Sequence, residues 1–169
     1  MNEAARRGPK CTVIETNIHE PADSSLLFDC VNVLVRLMTE ARVLCPAIEF
    51  TDHSTRAKRR MLNIQYAKRK LSRVEWYKDL IKVTKKTVRW AEAALKQLDD
   101  ATASDDAALG RLQASQELLR HYIPLAHQVL SQTERRVLRG EKVKAGDKVA
   151  SIFEPHTDII IEGQPQHNA

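Results

Sequence analysis

Residues 54–99 read STRAKRRMLNIQYAKRKLSRVEWYKDLIKVTKKTVRWAEAALKQLD, and this stretch decides the fold. Apolar or small side chains stand at 57, 61, 64, 67, 71, 74, 77, 81, 84, 88, 91, 95 and 98, in steps of three and four. No proline or glycine interrupts them. Steps of that kind keep one stripe on one face of an α-helix, and a stripe sustained over so many turns is the pattern of a coiled-coil-type helix. With Thr51, Asp52 and Ser54 as candidate caps, the spacing predicts a single helix over about 53–99. At 1.5 Å per residue it would be on the order of 60 Å long.

Outward from this stretch the same pattern recurs. Asp99 to Asp106 is a polar connector. A second seam follows at Leu109, Leu112, Gln116, Leu119, Ile123, Ala126, Leu130, Thr133 and Val137, predicting a helix over about 106–139. Pro124 is expected to kink it, because proline removes a backbone donor. Arg135, Arg136 and Arg139 before Gly140 suit a helix C-terminus. Two long seams joined by a short turn predict an antiparallel helical hairpin. Upstream, Leu26, Leu27, Cys30, Val31, Leu34, Leu37, Met38 and Ala41 predict a further helix over about 24–44, ending before Pro46. The ends read differently. Cys11 to Ile18, Lys148 to Phe153 and Thr157 to Ile161 are short and rich in β-branched residues, which predicts strands. The expected fold is therefore mainly α: a strand and turn over 1–22, helices over 23–140, and short strands with an unordered tail over 141–169.

Composition agrees with a helical domain. The chain has 169 residues, 43% hydrophobic and 5% aromatic, with only 5 Gly and 6 Pro, too few turn-formers for a many-stranded sandwich or barrel. No apolar run reaches the roughly 18 residues of a membrane span. Three widely spaced cysteines, Cys11, Cys30 and Cys45, form neither a disulfide framework nor a zinc motif. These features together predict a reduced, cytoplasmic protein. The net charge of +5 is unevenly spread: Arg56 to Lys96 holds 14 Lys or Arg against three acids, leaving the remainder net acidic.

That basic stretch carries the main candidate site. Lys58, Arg59, Arg60, Lys68, Arg69, Lys70 and Arg73 lie opposite the apolar seam and would form one ridge. Clustered cations neutralise phosphates and give sequence-independent affinity for nucleic acid. A ridge of this kind is equally the solvated face of a helix. Trp76, Tyr77 and Trp90 are interleaved with the cations, where they either pack in the hairpin core or stack on bases. Glu15, His19, Glu20 and Asp23 are metal-ligand types near one another, but strand alternation does not bring them together, and a surface turn with an aspartate cap accounts for them better. Glu154 to Asp158 has the residue types of a site and no defining spacing. His53, His121 and His127 read as surface or seam residues. A phosphate loop, a nucleophile elbow and a Cys-His pattern are all missing from the sequence.

Two segments resemble a known family. Thr12-Val-Ile-Glu-Thr-Asn-Ile-His-Glu-Pro-Ala-Asp-Ser-Ser-Leu-Leu-Phe-Asp-Cys-Val31 resembles the opening of the catalytic core of bacterial insertion-sequence transposases of the ISNCY-like DDE group. Gly140-Glu-Lys-Val and Lys148-Val-Ala-Ser-Ile-Phe-Glu-Pro-His-Thr-Asp-Ile-Ile resemble a later segment of the same proteins, in the same order. The resemblance implies a partial RNase H-like core with a helical insertion. Two Asp and one Glu of such a core bind two Mg²⁺ ions for phosphodiester strand transfer. The position of the first catalytic Asp falls near Lys10, where the sequence reads Gly-Pro-Lys-Cys with no carboxylate, and lysine offers no oxygen donor to Mg²⁺. The second Asp and the Glu would lie beyond Ile161. The expectation is a truncated, inactive transposase-like protein with no catalytic residue, no metal ligand and no cofactor in this chain, and with DNA as a partner of the basic helix. The alternative is a helical interaction module that self-associates or pairs with an intact transposase.

Overall fold

The structure, a computed structural model, describes residues 19–153, with the side chains of residues 19–22 and 145 left aside. Four α-helices make up most of it: α1 (His19–Leu44), α2 (Ser54–Tyr66), α3 (Lys70–Asp99) and α4 (Asp106–Thr133). A π-helical turn, Glu134–Leu138, continues α4, and a 3₁₀ turn covers Ala145–Asp147.

Contacts along the chain give the helix directions. Ser25, early in α1, meets Gln65, late in α2. Arg56 and Arg60 of α2 reach Asp79 of α3, while His53, just ahead of α2, lies against Trp90. Lys85, Glu92 and Asp99 of α3 pair with Glu134, His127 and Arg120 at 2.5, 2.7 and 2.5 Å. These three pairs recur every seven residues on each helix of the hairpin, which fixes its antiparallel register. Asp23 of α1 meets Gln132 and Arg136 at the far end of α4. The helices therefore run up, down, up, down. α1 and α3 also touch each other, and α2 and α4 lie on either side of that pair.

α1 is the central element. Its expected stripe, Leu26 through Ala41, is buried at every position, and Val33 and Val35 on the other side are buried as well. A helix apolar on most of its circumference is one surrounded by others, and α1 packs on all three. It begins at His19, upstream of the expected start, because Pro21 falls in the first turn, where the backbone donors have no intrahelical partner to lose. It ends at Leu44, before Pro46. Arg42 then fastens the following loop by donating to the Ile48 and Phe50 carbonyls at 3.0 and 3.3 Å.

The single helix expected over 53–99 is broken at Ala67–Arg69, and α2 folds back along α3. Ala67 has extended backbone (φ −66°, ψ 117°), and so has Arg69 (φ −107°, ψ 131°). An unbroken rod would outrun α1 and α4 and leave its first turns without a partner. Folding back instead buries Ala57 and Ile64 in the common core. The change costs Leu71 its expected place in the seam: it is 83% exposed.

The α3–α4 hairpin is as the seams require. Asp105 caps α4 by accepting from the Ala108 N–H at 2.7 Å. α4 continues through Pro124, whose ring removes one backbone donor from the helix. Gly140 closes the helical run with a left-handed φ of 68°, and the Glu141 N–H bonds back to the Arg135 carbonyl at 2.9 Å.

The strand expected over 148–153 is not formed. That segment lies across the bundle end as an irregular strap, with Ile152 buried in the core. Gln132 takes the place of a strand neighbour: its amide donates to the Val149 carbonyl at 3.2 Å and accepts from the Val149 N–H at 2.9 Å. The described residues contain no strand, so the RNase H-like sheet is not among them. The strands expected over 11–18 and 157–161, and the tail, lie outside the described residues.

Candidate nucleic-acid interface

The seven cations singled out from the sequence do not form one ridge, because the break between α2 and α3 divides them. Lys58 and Arg59 are exposed on α2. Arg60 beside them is half-buried, tied to Asp79, and its guanidinium lies 4.7 Å from the centre of the Trp76 ring. Arg56 also binds Asp79, at 2.6 Å. Burial pushes the Asp79 carboxyl up, but the hydrogen bonds and charges of Arg60 and Arg56 outweigh it and hold the group below the usual aspartate range. Arg56 and Arg60 thus serve the α2–α3 contact.

Lys68, Arg69 and Lys70 are exposed at the α2–α3 turn, and Arg73 is half-buried, donating to the Ala67 carbonyl at 3.0 Å. These cations crowd the N-terminal end of α3, which has no acid in its first turn and no side-chain cap. Positive charge there opposes the helix dipole. The turn is therefore held by α2 packing on α3 and α1, and not by its own local preferences.

A second set of cations lies further along α3, outside the seven expected from the sequence. Lys78, Lys82, Lys85 and Arg89 stand at i, i+4, i+7 and i+11, so they share one helix face. Together with Lys86 they line a groove of about 540 Å³ whose other wall is Glu134 and Leu138 of the π-turn. Among the described residues five cations and one carboxylate line it; that carboxylate is paired with Lys85 at 2.5 Å, and Lys78 is paired with Glu75 outside the groove at 2.8 Å. Lys86 lies over the Trp90 ring at 5.0 Å from its centre. The signal was present in the sequence as the 3.6-residue period of lysines between 78 and 89. It was masked because the densest cationic runs lie upstream.

The aromatic residues are accounted for inside the bundle. Tyr77 is buried, and Trp76 and Trp90 are half-buried beneath cations of the same chain. His127 pairs with Glu92, and His121 meets the Tyr122 ring edge-on. Of the four residues weighed as metal ligands, Asp23 is buried (1% exposed) and bonded to Arg136 at 2.7 Å; Glu15 and the side chains of His19 and Glu20 lie outside the described residues. No three His, Cys, Asp or Glu among the described residues are grouped to hold a metal ion. None of the described helices is long and apolar enough to cross a membrane.

Fold and surface together define an up-down-up-down four-helix bundle with a cationic flank. No family model, curated protein or solved structure matches the chain.

Proposed function

We propose that this chain is a transposase-like protein whose helical bundle corresponds to an insertion within an RNase H-like DDE core, and that it contacts DNA without performing strand transfer itself. The observation that supports this reading is the placement of the two segments that carry the resemblance. Residues 12–31, which include the first half of α1, and residues 140–161 are separated by the rest of the bundle, yet their described parts meet at one end of it. Asp23 bonds Gln132 and Arg136, and Gln132 clamps Val149. A module whose chain enters and leaves at the same end is the kind that inserts between neighbouring strands of a host sheet. The Gly-Pro-Lys-Cys stretch around Lys10, near which the resemblance places a metal-binding carboxylate, offers no carboxylate and argues against Mg²⁺-dependent chemistry.

The test is incubation of the purified chain with supercoiled plasmid and Mg²⁺ or Mn²⁺. The reading expects retarded but intact plasmid at low salt. Metal-dependent nicking would overturn the non-catalytic part, and absence of any retardation would overturn the DNA contact.

The second reading, a module that self-associates or pairs with an intact transposase, is favoured by one feature. Val43, 82% exposed, stands beside a groove of about 480 Å³ that is also lined by Leu44, Ala114 and Leu118, at the opposite end from the strap. Light scattering decides: a stable dimer at micromolar concentration that Val43→Glu dissolves supports it, and a monomer excludes self-association.

A further inference from the structure

We infer that the groove between α3 and the π-turn is the duplex-binding surface, and that it takes the phosphodiester backbone of one DNA strand. This rests on the DNA-contact reading above and assigns it to residues other than those the sequence suggested.

Charge is the first argument. Of the chain's cations, many are engaged: Arg56 and Arg60 by Asp79, Arg120 by Asp99, Arg135 by Glu141, Arg136 by Asp23. In the groove, Lys78 is paired with Glu75, Lys82 and Arg89 have no ion pair among the described residues, and the one carboxylate that lines it among those residues, Glu134, is neutralised by Lys85. The groove therefore presents net positive charge in a concave setting, where low-dielectric walls concentrate the field.

Geometry is the second. From Lys78 to Arg89 the helix advances eleven steps, about 16 Å. One strand of a duplex advances about 3.4 Å along the axis per phosphate, so the row faces on the order of five phosphates; Lys82 and Arg89 are free to meet them, while Lys78 is paired with Glu75 at 2.8 Å and Lys85 with Glu134 at 2.5 Å. α3 is flanked by α2 and α4, which prevents it from entering a major groove as an isolated helix can. Contact is limited to the backbone, and the surface reads no bases.

The placement of the aromatic residues separates duplex from single strand. Binding of single strands relies on exposed aromatic platforms. Among the described residues the groove has none: Tyr77 is buried, and Trp90 lies under Lys86. The wall opposite the cations is built by a π-turn, where the widened backbone sets Glu134 and Leu138 (41% exposed) along the groove edge.

The experiment is fluorescence anisotropy of a labelled duplex, and of a single strand of equal length, titrated with the full chain at several salt concentrations. Lys82→Gln with Arg89→Gln tests the groove, and Lys58→Gln with Arg59→Gln tests the α2 face. Circular dichroism and thermal melting establish that both are folded. The groove variant is expected to lose about tenfold in affinity at low salt and to flatten the log K against log salt slope by about two, one for each lost phosphate contact. The α2 variant is expected to change affinity less than about threefold. If the α2 variant carries the loss and the groove variant does not, the groove assignment is overturned while the DNA-contact reading stands. A single strand that binds more tightly than the duplex, or polyglutamate bound in the groove in place of DNA, overturns the choice of partner. If the unaltered chain binds neither nucleic acid at low salt, the underlying reading fails too.

Discussion

Replacing Leu71 by alanine should leave the protein almost as stable as before, although its sequence position places it in the middle of an apolar seam. The structure puts Leu71 just past the α2–α3 turn at 83% exposure, so truncation removes little apolar area from the core. The expected cost is below about 0.5 kcal/mol, as for surface substitutions generally. Leu34 is the proper contrast. It is fully buried on α1, the helix that touches all the others, and no solvent can fill the space its side chain leaves. Leu34→Ala should cost about 2–5 kcal/mol, the transfer free energy of the lost methyl groups plus the cavity. Urea unfolding followed by circular dichroism measures both. With an m-value of about 2 kcal/mol/M, the Leu34 variant should unfold at least about 1 M earlier and the Leu71 variant within about 0.3 M of the parent. Ile64→Ala, buried on α2, should behave like Leu34→Ala. If Leu71→Ala shifts the midpoint as far as Leu34→Ala at unchanged m, Leu71 is in the core, α2 and α3 form one rod, and the bundle described here is wrong.

Three further outcomes are expected. Gln132→Ala strips the Val149 N–H and carbonyl of their partner and should cost about 1–3 kcal/mol, with faster amide exchange over residues 148–152; unchanged exchange there would show that the strap is held by Ile152 alone. Burial, reinforced by the neighbouring Asp29 charge, pushes the Cys30 thiol up to about 12, so in a variant with Cys11 and Cys45 replaced by serine, a thiol reagent at pH 8 should label Cys30 only on unfolding, and rapid native-state labelling would contradict its burial. The arginine-held Asp79 has a depressed pKa. Its stabilising effect is therefore complete above the unfolded-state value near 4 and is lost as pH falls through the lower folded value. The stability difference between the parent and Asp79→Asn should be constant around neutrality and shrink below about pH 4; a difference that persists unchanged in acid would show that the ion pairs do not contribute.

Much of this architecture is legible in the sequence because burial there follows helical periodicity. Every residue of the α1 stripe is in the core, and the α4 seam from Leu112 to Thr133 is buried or half-buried throughout. The α2–α3 break is not legible for a physical reason. α2 and α3 each turn a stripe toward the same core, and the residues used by the turn, Ala67 to Arg69, let one stripe run into the other without a change of step. With no proline or glycine to mark it, only the crowding of Lys68, Arg69, Lys70 and Arg73 hints that a continuous helix is unfavourable there. The β-branched run before Phe153 has strand propensity but no neighbouring strand among the described residues, and Ile152 is drawn into the helical core instead. The cationic groove was half legible. The spacing of Lys78, Lys82, Lys85 and Arg89 is in the sequence, but the π-turn wall that makes a groove of it comes from residues about 50 positions away.

The central claim is that duplex DNA lies along the α3 flank. Lysine acetylation read by mass spectrometry, with and without duplex DNA at low salt, tests it residue by residue in the unaltered chain. The account predicts that DNA protects Lys78, Lys82, Lys85 and Lys86 while Lys58 stays reactive. Protection confined to Lys58, Lys68 and Lys70, with the α3 lysines unchanged, would contradict it.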